Sequence, residues 1–167
     1  MGCLGVHFAL SEDDVASLLS KPDDHQRLTY VQEEIEERYF EEPCTYIAQS
    51  DKAWDAIQRA LADGLLSYAG GEYPLNHVVL GGQPLYSQDD YIISLKTPEQ
   101  VKDAAAAIAS ITQEQFRDRY DAIDPAEYGL DLTDEDFHYT WEWFQEVRAL
   151  YERAASESRH VLFTADQ

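Results

Sequence analysis

One stretch near the C-terminus constrains the whole chain. After Thr133-Asp134-Glu135-Asp136, the residues Phe137, Trp141, Phe144, Val147, Tyr151 and Ala155 recur at three- and four-residue steps. That spacing puts them on one side of a helix more than twenty residues long, opened by a threonine cap and acids in its first turn. A helix with so wide an apolar stripe cannot stand alone. It requires a second layer to cover it, and the rest of the chain must supply that layer.

The two termini are the natural source. Cys3 to Ala9 is a compact apolar run containing Val6 and Phe8, and Val161-Leu162-Phe163-Thr164 closes the chain with a second. Both read as strands, and pairing them in one sheet would tie down both ends. Between them, Ser11 caps a helix with Val15, Leu18 and Leu19 on one side, stopped near Lys21 by Pro22. A second helix spans 28–40, with Leu28, Val31, Ile35 and Tyr39 facing in, Glu33, Glu34, Glu36 and Glu37 facing out, and its end marked by Pro43. A third begins at Ser50-Asp51-Lys52-Ala53-Trp54-Asp55, with a Trp54, Ile57, Leu61 stripe and Gly64 as its stop.

Residues 65–91 are the least regular part. Pro74, His77, Gly81, Gly82 and Pro84 surround the apolar run Val78-Val79-Leu80, predicting a short element framed by turns. Tyr91 to Leu95 then reads as a strand. Thr97-Pro98 opens a helix with Val101, Ala104, Ala105 and Ile108 inward, and Thr112 with Gln115 forms a capping box for a short helix to about Ala122. An acidic loop with Pro125 and Gly129 leads to the long helix. The class is α+β: one helix-rich domain over residues 1–167, with a small mixed sheet that includes both terminal strands.

Charge narrows the function. Twelve Lys and Arg stand against 33 Asp and Glu, a formal net charge of −21 divided almost evenly between the halves of the chain. Such a surface repels phosphate backbones and anionic lipid, which removes nucleic acid and membranes as partners. The hydrophobic share of 44% and aromatic share of 12% mark a folding chain rather than a disordered acidic tail. No apolar run approaches the ~20 residues of a membrane span. The start Met1-Gly2-Cys3-Leu4 lacks a basic n-region, and Val6 stands where a myristoylation signal wants Ser or Thr, so the expected compartment is the cytoplasm. Cys3 and Cys44, outside any Cys-x-x-Cys pair, are expected to be reduced thiols.

Catalytic and metal motifs are sparse. Glu135-x-x-His138 is a single Glu-x-x-His element, whereas a dinuclear carboxylate site uses two with further glutamates. His7, His25, His77 and His160 form no His-x-x-x-His pair, and the Asp131–Asp136 run lacks the glycine of a calcium loop, so no metal and no cofactor are expected. Ser67, Ser87 and Ser94 sit in no nucleophile elbow, and Gly81-Gly82 lacks both phosphate-binding patterns. Trp141 and Trp143, two apart on a helix, cannot share one face, so one of them is expected at a boundary or partner contact.

Asp51-Lys52-Ala53-Trp54-Asp55, Pro74-Leu75 followed by Val79-Leu80-Gly81, and Thr97-Pro98 leading through Ile111-Thr112 to Arg117 resemble the YfbM-like family of small bacterial proteins of unknown function. The resemblance covers most of residues 1–122 and, more loosely, the closing helix and strand. It implies a single α+β domain of bacterial origin and brings no activity with it. Gln58 and Asp63-Gly64 stand where the family carries a histidine and a Thr-Gly, so a role for that histidine does not transfer.

Two functions of different kinds fit these features. The first is a non-enzymatic binding module, of the inhibitor or immunity kind, whose carboxylates engage a basic protein. It predicts an acidic face without a deep cleft. The second is a small enzyme or ligand binder built on the 65–91 loop, with His77 as acid/base, Trp54 or Tyr86 as pocket wall, and Gly81, Gly82 and Trp143 as further contacts. It predicts a concave pocket in which His77 meets a second polar group. The oligomeric state is left open by the sequence.

Overall fold

The computed structural model describes residues 3–41 and 44–167. Five strands form one sheet in the order β2-β1-β5-β4-β3: β1 (Gly5–Leu10), β2 (Ile47–Asp51), β3 (Gln83–Pro84), β4 (Tyr91–Lys96) and β5 (His160–Asp166). The terminal strands are central neighbours, with Val6 opposite Thr164 and Leu10 opposite His160. All four ladders are antiparallel, so the sheet is not the mixed one expected.

Helices cover both faces, because β1, β4 and β5 are apolar on each. Val6, Phe8, Leu10, Ile93, Leu95 and Leu162 point to one side. There they meet α1 (Glu12–Leu19), α2 (Asp24–Tyr30) and α3 (Glu36–Tyr39), the last two joined by one wider π-type stretch, Val31–Ile35. Leu18 and Val15 bury their side chains in this layer, but Leu19 faces outward and is 45% exposed. The expected helix end at Pro43 lies outside the described residues.

On the opposite face, Ala9, Phe163 and Ala165 meet α4 (Trp54–Leu61), α5 (Pro98–Ala109), α6 (Gln113–Asp121) and α8 (Asp134–Ser156), with α7 (Pro125–Tyr128) at one end. The long helix buries Phe137, Phe144, Val147, Leu150, Tyr151 and Ala154. Each large side chain so buried contributes about 1.5–3 kcal/mol. Ala155 is only partly covered, and Trp141 and Trp143 are both half-buried, Trp143 lying edge-on to Tyr139. Thr112 forms its predicted capping box with Gln115, and Thr97, predicted as a cap, forms a capping box with Gln100 as well.

One element differs in kind. Ser50-Asp51 ends β2 rather than starting a helix, and α4 begins only at Trp54. Ser50 resembles an N-cap in sequence, yet its backbone belongs to a strand paired with β1, and Asp51 turns the chain with φ 48°.

Candidate functional site

The irregular stretch divides into two parts with opposite fates. Residues 76–81 are buried: Asn76, Val78, Val79, Leu80 and Gly81 lie inside the layer between the sheet and α8. Buried non-regular backbone needs partners for each amide and carbonyl. Here side chains supply them. The Tyr151 hydroxyl lies 2.7 Å from the Val78 carbonyl oxygen and 3.0 Å from that of His77. The Lys96 amine donates to the Val79 carbonyl, and Ser94 Oγ donates to that of Leu80 at 2.7 Å. The Leu80 amide donates to Gln58 Oε1 at 3.0 Å, and the Gly81 amide closes back on the Asn76 carbonyl at 2.8 Å. Gln58 thus helps hold the buried backbone at Leu80.

The glycines follow from this packing. A Cβ at Gly81 would be driven into the Asn76 carbonyl and come within 2.8 Å of His77 Nδ1. Gly82, at φ +128°, lies against the Leu95 carbonyl. Both allow backbone to approach backbone.

Burial shifts the titratable groups around this segment. Lys96 is fully buried, and burial holds its amine well below the ordinary lysine range. His7 projects from β1 on the same side, between Phe163 at 4.8 Å and Tyr151 at 6.5 Å between ring centroids. Its Nε2 is 3.4 Å from Ser50 Oγ and its Nδ1 has no partner. Burial, reinforced by the charge of Lys96, pulls His7 down to about 3, so its ring is neutral at pH 7. The sequence offered no sign of this cluster, because a histidine and a lysine in strands read as outward positions.

His77 is half-buried at the edge of the segment. Its Nδ1 lies 2.7 Å from Asn76 Oδ1, its ring is met edge-on by Tyr73 at 4.9 Å, and partial burial followed by the charge of Lys96 lowers its pKa. The second polar group it meets is therefore an amide, which orients the ring and exchanges no proton. Of the other sequence candidates, Gly81 and Gly82 lie beside it. Trp54 does not form a pocket wall at this loop. It is a core ring packed on Phe163, with Nε1 donating to the Cys3 carbonyl at 2.8 Å. Tyr86 borders a separate open depression of about 280 Å³ with Asp24, Tyr68 and Ser87. Trp143 is half-buried against the core beside Tyr139, whose hydroxyl donates to Asp51 of β2, and it is not among the side chains around His77.

Residues 63–73, by contrast, run outside. Leu65, Leu66, Tyr68 and Tyr73 are each between 38% and 51% exposed, four of the eight large hydrophobic side chains exposed among the described residues. Leu65 and Leu66 line an open depression of about 620 Å³ with Arg59, Asp63, Asp124 and Glu127. It adjoins an acidic corner of the protein. Residues 113–136 carry nine of the 33 carboxylates against Arg117 and Arg119, and eight of the nine are exposed. The corner is held together from within: Arg117 bridges Asp121 at 3.0 Å and Asp134 at 2.7 Å, while Tyr120 and Tyr128 both donate to Asp136. Among the described residues, no group of three His, Cys, Asp or Glu side chains is placed to hold a metal ion, and no helix is long and apolar enough to cross a membrane.

A three-layer α+β domain whose buried reactive groups serve its own backbone, with carboxylates and leucines outside, is the class that this fold and site define. The chain belongs to the family described as a domain of unknown function, DUF1877, whose model matches residues 1–164. The fold is similar to the crystal structure of a protein of unknown function, YfbM from Escherichia coli, with a TM-score of 0.66 and 16% identity over 97% of this chain and 99% of that one. The YfbM-like resemblance read from the residues therefore holds in family and in fold. No curated protein matches the chain.

Proposed function

We propose that this protein is a non-enzymatic binding module of the bacterial cytoplasm that engages a basic protein partner through its acidic helical corner. The observation that carries the reading is the corner itself, eight exposed carboxylates within residues 113–136, with Arg117 already committed to two of its own aspartates. Carboxylates left without internal partners project a negative field that steers a cationic partner and favours its docking. The buried polar groups point the same way, since Lys96, Tyr151 and Ser94 are occupied with the 78–80 carbonyls. The carboxylates on α2 and α3 lie on the other helical layer and form a second, weaker patch.

The test is capture from a lysate of the source cell at low salt, with stepwise salt elution and mass spectrometry, beside a variant carrying Glu127→Lys, Asp131→Lys and Glu135→Lys. A basic protein recovered near stoichiometrically, released between about 20 and about 300 mM salt and lost with the variant, is the expected result. Recovery equal to that on an unrelated protein of the same net charge would reduce the acidity to a solubility property.

A further inference from the structure

From the depression over Leu65 and Leu66 we infer that this face docks a cationic polypeptide segment that inserts a large apolar side chain. The inference rests on the acidic-module reading and deepens it by giving the partner an anchor and the surface a centre. Interfaces that hold their partners have an apolar centre surrounded by polar groups, and most of the affinity comes from one or two anchors at that centre. This face has that form. Leu65 and Leu66 supply the centre, with Ala122 from the end of α6 beside them. Asp63, Asp124 and Glu127 supply the rim.

The charges say which occupant fits. Arg59 is the cation of the depression, and its Nε is paired with Asp55 at 2.6 Å, so it does not offset the rim toward an incoming chain. Asp124 accepts from the Ala126 amide at 2.9 Å while remaining exposed. An incoming lysine or arginine finds unpaired acceptors around an apolar floor. A second copy of this chain does not fit, because a two-fold contact would set Asp63, Asp124 and Glu127 against themselves in a protein of net charge −21. Leu65 and Leu66 remain 51% and 39% exposed, while Ile57, Ala60 and Leu61 of α4 are buried.

Two synthetic peptides of equal charge, one alternating lysine with leucine and one alternating lysine with serine, separate this inference from the broader reading. Titrated into the isotopically labelled protein at low salt, the leucine peptide is expected to bind about tenfold more tightly, since one buried leucine is worth about that factor. Its amide shifts should centre on residues 64–67 and 122–128. In the variant Leu65→Ser with Leu66→Ser, the two peptides should become equal while the serine peptide is unchanged. Ala122→Gln, which fills the depression from an exposed helix end, should produce the same loss and covers the case in which the double variant misfolds. Equal affinities in the wild type would overturn the inference and leave the acidic module standing, whereas shifts centred on α1 to α3 would overturn both the inference and the acidic corner as the docking surface. Binding of neither peptide would overturn both. Concentration-dependent dimerisation abolished by the leucine substitutions would assign the face to a second copy and overturn the inference alone.

Discussion

Residues 63–73 and residues 76–81 are neighbours in the chain, both irregular and both containing glycine, yet one lies on the surface and the other in the core. The difference is how short and how buried the side-chain hydrogen bonds are. Beneath 76–81 stand Tyr151, Lys96 and Ser94, each aimed at a carbonyl, and Gln58 aimed at an amide. Residues 63–73 receive longer bonds at more exposed positions, from Gln58 Nε2 to the Ser67 carbonyl and Arg59 Nη1 to the Gly64 carbonyl at 3.4 Å, and from Asn76 Nδ2 to the Gly70 carbonyl at 3.1 Å, so the chain stays in water and carries its leucines with it. Buried polar side chains decide which loop becomes scaffold and which remains available for binding.

Breaking the scaffold half should give the largest effects. Gly81→Ala forces a methyl into the Asn76 carbonyl and should cost about 4 kcal/mol or prevent folding, read by urea titration. Acid comes next. His7 titrates near 6.5 when unfolded and at about 3 when folded, so between these values the unfolded chain binds more protons and stability falls as pH falls. The loss should approach about 3 kcal/mol by pH ~4 from this group alone, and His7→Leu should flatten that limb of the stability profile. Tyr151→Phe leaves the Val78 carbonyl short of its donor and should cost about 2 kcal/mol. On the surface half, Leu65→Ser should change stability by less than ~0.5 kcal/mol. A large loss there would mean that the leucine belongs to the core after all, and the contrast between the two regions would fail.

The sequence made the periodic parts legible. The long helix, the threonine caps at Thr97 and Thr112 and the pairing of the terminal strands follow from spacing and cap chemistry, and each is present. The strand Ile47–Asp51 was hidden because Ala48, Gln49 and Ser50 carry little strand preference and Ser50 is a good helix cap by composition. The scaffold role of 76–81 was hidden for another reason. Its hydrogen bonds come from residues up to 74 positions away, and no local pattern records them. Of the candidate site, the sequence located the right stretch and the nearness of His77 to Gly81, but it placed Trp54 with them when that ring belongs to the core.

Native-state hydrogen exchange on the backbone amides tests the contrast most directly. The amides of Val78, Leu80 and Gly81 are bonded inside the protein and should exchange only through global unfolding, while those of residues 65–69 exchange orders of magnitude faster through local motion. Equal, rapid exchange in both segments would contradict the account, because the side-chain donors would then not be holding 76–81 in place.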